Sequence, residues 1–273
     1  MLRKLIGLGT GLAGVLASGA AFALPHDWQL GFQPAASPVM ERIEDFHHFV
    51  MVIITAVTLF VLALLIWIII RYNHRANPVP SKVSHNTTLE IVWTLVPVII
   101  LVIIAIPSFK LLYYEADIPT PDLTITAIGK QWFWTYQYPT KGNLQFDSLG
   151  LSDAAAAKAG EPRLLGVDNP VYVPVNKVVE VDTTGADVIH SWAMPQMGVK
   201  MDAVPGRINR TWFKADRVGT YYGQCSELCG AHHAYMPIEL KVVTQDQFNA
   251  WVATAKKKFA SNDGPGANAL AAK

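Results

Sequence analysis

The sequence predicts a two-helix transmembrane hairpin followed by an all-β sandwich or Greek-key domain. Three observations lead there. The 273-residue chain is 51% hydrophobic and only 16% charged, too apolar for an ordinary soluble protein. Two long runs, 50–70 and 91–109, carry no charge at all. From residue 113 onward the composition becomes that of a soluble domain, with short segments rich in β-branched and aromatic residues.

At the N-terminus, Arg3 and Lys4 precede an apolar stretch over 5–16, and Ala21, Phe22 and Ala23 offer a cleavage site. Gly7, Gly9, Gly11 and Gly14 break that stretch, which is short for a span. The expectation is a signal peptide over 1–23 and an external segment over 24–45. The hairpin is expected over 46–112, since each run reaches the ~20 residues that cross ~30 Å of hydrocarbon at 1.5 Å per residue. Pro97 and Pro107 lie in the second run. Such prolines are tolerated where neighbouring helices re-satisfy the freed carbonyls, so a larger membrane assembly is implied.

The linker 71–89 holds Arg71, Arg75 and Lys82 and no acid before Glu90, whereas Glu41, Glu44 and Asp45 outnumber Arg42 ahead of the first helix. The positive-inside rule puts that linker in the cytoplasm and both termini outside. The soluble part, 113–259 with a disordered tail over 260–273, has 15 Lys or Arg against 16 Asp or Glu to the C-terminus. Lys256, Lys257, Lys258 and Lys273 sit at its end. The remainder is mildly acidic, which suits a basic protein partner and argues against nucleic acid. Strands are expected over 123–128, 131–138, 171–175, 178–181, 210–213, 220–222 and 238–243, with a short helix or insertion over 154–159 and a closing helix over 245–259.

The chemistry concentrates in one stretch, where Cys225, Cys229, His233 and Met236 follow one another. A disulfide is the ordinary reading of an even cysteine count in an oxidising compartment. It leaves His233 and Met236 unexplained, and a loop this short gives little closure entropy. Thiolate, imidazole and thioether together select copper. The spacing could serve zinc, which would not need methionine. A single blue copper uses one cysteine, so here there is one too many. Two thiolates can instead bridge two coppers, each metal taking one histidine and one weak axial ligand. The second histidine is expected to be His190 rather than His232, which neighbours His233 and points elsewhere from an extended backbone.

The helix hairpin, the aromatic run Gln131, Trp132, Phe133, Trp134, the stretch from His190 through Arg207, and the Cys225 to Cys229 loop resemble, in order, subunit 2 of the haem-copper cytochrome c oxidases. The resemblance covers nearly the whole mature chain. It implies a cupredoxin-like Greek-key sandwich and a dinuclear copper centre bridged by Cys225 and Cys229. His190 and His233 are then terminal ligands, with Met236 and the Glu227 main-chain carbonyl as axial ligands. It further implies Mg2+ at the Glu227 carboxylate, on the boundary with a catalytic haem-bearing subunit 1.

Glu90 matches the mouth of a proton-uptake channel in that family, although Thr87 to Glu90 also reads as a capping box. Trp132 matches the residue where the electron enters from cytochrome c. Asp147, Asp168 and Asp187 match docking acids, whereas Gln137 and Asn143 are neutral where relatives often carry acids. Oxygen reduction belongs to another subunit, because this chain has no Cys-x-x-Cys-His haem site and too few membrane histidines to ligate haem. The resemblance implies a bacterial inner membrane with the copper domain on the periplasmic side, further oxidase subunits, and coupling to proton transport. Two alternatives are a copper-free quinol-oxidase-type subunit and a membrane-anchored copper carrier.

Overall fold

The computed structural model describes residues 22–26 and 28–259. The expected tail over 260–273, and all but the last two residues of the expected signal peptide, lie outside the described residues. Helix α1 (Pro38–Arg71) starts at Ser37, whose hydroxyl accepts from the Met40 amide at 3.1 Å, with Pro38 in the first turn. Helix α2 (Thr87–Ala116) is capped by Asn86, which accepts from the Leu89 amide at 3.2 Å. The capping box expected from Thr87 and Glu90 therefore does not form. Asn86 takes the cap one residue earlier, and Glu90 instead donates its amide to the Asn86 carbonyl at 3.0 Å. Both helices are long and apolar enough to cross a membrane. They run past both ends of the expected 46–112 hairpin because their outermost turns are polar, and apolar patterning does not register them.

The β domain has two sheets. One runs β5 (Val171–Pro174), β11 (Pro237–Val243), β10 (Gly219–Cys225), β7 (His190–Met194), β8 (Val199–Ala203), with the two-residue β1 (Phe22–Ala23) alongside β10. The other runs β4 (Leu144–Ser148), β3 (Phe133–Tyr138), β2 (Leu123–Lys130), β6 (Val178–Gly185), β9 (Asn209–Lys214). β2 pairs in parallel with β6, and β5 with β11. These pairings bring distant strands together as Greek-key connections do. β4, β7 and β8 were absent from the sequence expectation. β7 is buried at every position and so shows no alternation, while β4 and β8 carry Gln145, Asp147, Lys200 and Asp202 in place of the β-branched and aromatic residues that mark a strand.

Trp134, Tyr136 and Tyr138 point from β3 into the core with Ile125, Phe146 and Phe213, against Trp192, Met194, Ile238 and Leu240 of the other sheet. After the short helix α3 (Asp153–Ala159), helix α4 (Gln245–Phe259) closes one end, its Trp251 stacked on Tyr172 at 4.8 Å. Trp134 is fully buried, so Trp134→Ala is expected to cost about 3–5 kcal/mol. Chemical denaturation of the wild-type and substituted chains measures this, and a loss under about 1 kcal/mol would be that of a surface substitution.

The hairpin is tied to the β domain at both helix ends. Buried Ser37 donates to the Met197 carbonyl at 2.8 Å while it caps α1. The Trp212 indole donates to the Glu115 carbonyl at 3.2 Å, and its ring meets Tyr114 edge-on at 5.4 Å. These contacts tie the start of α1 to the turn after β7 and the end of α2 to β9.

Candidate metal centre

His190 is the first residue of β7 and is wholly buried. Its ring has room because residue 129 is a glycine: a Cβ there would fall 2.6 Å from His190 Cδ2. Cys225 ends β10 opposite Trp192 of β7, and the loop after it is held back by the Ser226 amide donating to the Ser191 carbonyl at 3.0 Å. The cysteine spacing then turns the chain so that the two sulfurs lie 3.9 Å apart and unbonded.

The four expected donors form a chain of contacts. His190 Nδ1 lies 3.9 Å from Cys225 Sγ, Cys225 Sγ 3.9 Å from Cys229 Sγ, and Cys229 Sγ 3.5 Å from His233 Nδ1. Donor atoms of His190, Cys225 and Cys229 lie within 4.8 Å of one another. Cys225 Sγ also points at the Glu227 carbonyl, 3.4 Å away. Met236 is 1% exposed and its carbonyl accepts from the Cys225 amide at 3.0 Å. The Glu227 carboxylate itself is exposed. Two thiols and two imidazole nitrogens, with buried Met236 held to the same loop through its carbonyl, form a donor set that fits copper.

Burial raises the Cys225 thiol, but hydrogen bonds from His190 and the loop backbone outweigh it and bring its pKa below the ordinary thiol value. Burial and then the neighbouring Cys225 charge push Cys229 up. Cations that bind both sulfurs must displace the thiol protons. Burial alone would lower the His190 pKa. Its contacts with Cys225 and Asp187 outweigh burial and leave it above the ordinary imidazole value.

Asp187 serves this centre directly. Its carboxylate lies 2.8 Å from His190 Nε2 and accepts from the Gln131 and Val188 amides at 2.7 Å each. That leaves Nδ1 as the nitrogen turned to the sulfurs, the arrangement that fixes a ligating imidazole. Asp147 and Asp168 are exposed; Asp147 accepts from Thr135 Oγ1 at 2.5 Å and Asp168 from the Leu149 amide at 2.8 Å.

Trp132 does not continue the β3 stripe. It precedes the strand, half-buried, with its indole donating to the Cys229 carbonyl at 3.1 Å and its ring edge-on to His232 at 4.7 Å. Glu90 lies far along the chain from this cluster, in the exposed first turn of α2. The links made by Gln131 and the space left by Gly129 escaped sequence reasoning, since neither residue type signals a metal site.

A model of the family described as the transmembrane domain of cytochrome c oxidase subunit II matches residues 25–111, and one described as its periplasmic domain matches 123–243. A protein of Rickettsia bellii named "Probable cytochrome c oxidase subunit 2" is 51% identical over 91% of this chain and 92% of its own. Cytochrome c oxidase subunit 2 of Cereibacter sphaeroides is 43% identical over 92% of this chain and 91% of its own. The crystal structure of the periplasmic domain of subunit II of cytochrome oxidase of Bradyrhizobium japonicum is similar at 58% identity with a TM-score of 0.49, covering 52% of this chain and 99% of that one. With both family regions matched in order and relatives alike over nine-tenths of each chain, the chain belongs to the cytochrome c oxidase subunit II family.

Proposed function

We propose that this chain is the electron-accepting subunit of a cytochrome c oxidase, taking electrons from cytochrome c and handing them to haem in a catalytic subunit that reduces oxygen. The observation that carries the reading is the unbroken run of contacts His190, Cys225, Cys229, His233, with Trp132 hydrogen-bonded to the same loop. Cys225, Cys229, His190 and His233 would hold two coppers, with Met236 and the Glu227 carbonyl as weaker further donors. When bound, the copper pair supplies one-electron redox chemistry shared over two ions.

The protein's own part is to hold the site rigid and dry. Asp187 orients His190, and buried Cys225, Cys229 and Met236 keep the donors out of water. The Trp132 indole offers one hydrogen bond, rather than a gap, between the half-buried surface ring and the main chain of Cys229. The intact donor set weighs against a copper-free quinol-oxidase-type subunit. The hairpin, with prolines inside α2, weighs against a carrier that needs only an anchor. Purified full chain loaded with copper and mixed with reduced cytochrome c tests the reading: its near-infrared copper absorption should bleach as the cytochrome oxidises. Copper-loaded chain inert toward reduced cytochrome c would contradict it.

Further assignments follow from the same reading. The segment 1–23 is a signal peptide, and the sandwich over 113–259 faces the periplasm of a bacterial inner membrane, with the linker 71–89 in the cytoplasm. Cleavage after Ala23 removes the short pairing of β1 with β10. Asp147 and Asp168 steer the cytochrome, while Asp187 combines docking with its hold on His190. The exposed Glu227 carboxylate is offered to Mg2+, a hard cation that prefers oxygen, shared with the catalytic subunit.

Glu90 is assigned to the mouth of a proton-uptake channel. Because Asn86 caps α2, Glu90 is not needed as a cap. Glu90→Ala is therefore expected to lower oxidase turnover where proton uptake limits it, by roughly 100-fold, the low end for a lost proton-transfer group. Copper reduction should be unchanged. Equal turnover of both enzymes across pH would remove the assignment.

A further inference from the structure

Gln131 joins both halves of the metal centre without belonging to either. Its main-chain amide donates to Asp187 Oδ2 at 2.7 Å, and the other oxygen of that carboxylate holds His190 Nε2 at 2.8 Å. Its side-chain amide donates to the Cys229 carbonyl at 2.9 Å, the acceptor that also receives the Trp132 indole at 3.1 Å. The residue is itself exposed, so packing does not hold its side chain and the hydrogen bond to Cys229 is what locates it.

The loop is shaped to receive this contact. Gly230 has φ +118°, and a Cβ there would lie 3.1 Å from Gln131 Nε2 and 3.1 Å from Trp132 Cζ2. A side chain at residue 230 would crowd both donors away from the Cys229 carbonyl. The backbone conformation is also one that side chains other than hydrogen rarely adopt.

We propose that Gln131 is a positioning residue for electron uptake: it clamps the Cys229 loop to the Asp187–His190 arm and so sets the contact between the Trp132 indole and the loop. The proposal rests on the reading of this site as the copper centre. A part-buried amide–carbonyl bond adds modest stability, so the effect lies in geometry and not in folding. The main-chain link to Asp187 survives any substitution at 131, so side-chain variants isolate the Cys229 link.

The test uses the assembled oxidase with Gln131→Leu, which removes the donor and adds no charge, and Gln131→Glu, which keeps the shape and turns a donor into an acceptor facing a carbonyl. Both are expected to keep the wild-type copper count, and the leucine variant also the wild-type salt dependence of cytochrome c binding. The near-infrared band and reduction potential of the copper should shift. Transfer at saturating cytochrome c should slow by roughly 10-fold, the lower range for loss of an outer-shell partner of a metal site.

Unchanged band, potential and saturating rate in both variants would overturn the proposal. So would loss of copper in both, which would make Gln131 a structural requirement of the site. If only the leucine variant fails to assemble, the glutamate variant decides by the same criteria. Failure of the underlying reading is seen elsewhere, in a wild-type enzyme that carries no copper pair.

Discussion

Cys229→Ser is expected to leave at most one copper per chain and to end electron uptake from cytochrome c. Cys229 Sγ lies between Cys225 Sγ, 3.9 Å away, and His233 Nδ1, 3.5 Å away. Serine keeps the volume of the side chain but offers a hard, weakly acidic oxygen where a soft thiolate is needed. The loss should exceed the roughly 10–100-fold that removal of an outer-shell partner costs. Met236→Leu is the matching comparison, because a weak axial thioether tunes the potential without holding the metal. Metal analysis and stopped-flow reduction of the two variants separate the roles, and equal copper loss in both would contradict them.

Trp132→Ala is expected to leave folding and copper content intact while slowing copper reduction on the order of 100-fold, the scale of a misplaced reacting group. The indole is half-buried and contacts the loop through its hydrogen bond to the Cys229 carbonyl and its edge contact with His232. Truncation therefore removes the contact between surface and site without opening the core, in contrast to Trp134. The defect should persist at saturating cytochrome c. Asp168→Asn, which removes an exposed charge, should instead lower the bimolecular rate mainly at low salt, since rim charges set encounter. A selective transfer defect in Trp134→Ala, or unfolding of Trp132→Ala, would move the point where the electron enters.

Much of this molecule could be read before any fold was seen, for local reasons. The membrane helices announce themselves because runs of uncharged residues have one stable place to go. Cys225, Cys229 and His233 are legible because they sit four residues apart, so one turn of loop brings them together. His190 needed an argument by elimination, since the pairing of β7 with β10 that brings it to Cys225 spans 35 residues of sequence. The links from Gln131 to Asp187 and to Cys229 span 56 and 98 residues, and no local pattern encodes them. Asp187 was legible as an acid but not as the partner of His190. The cap of α2 was misread by one residue because Asn86 and Thr87 are both good caps, and only backbone geometry chooses between them.

The number of coppers that Cys225 and Cys229 hold between them decides whether the centre is dinuclear. Metal analysis of the full chain, purified in detergent and loaded with copper, measures it directly. Two coppers per chain are expected, with near-infrared absorption and a spin-resonance pattern of one electron shared over both ions. A single copper per chain, or a Cys225 to Cys229 disulfide that persists with copper present, would contradict the dinuclear centre.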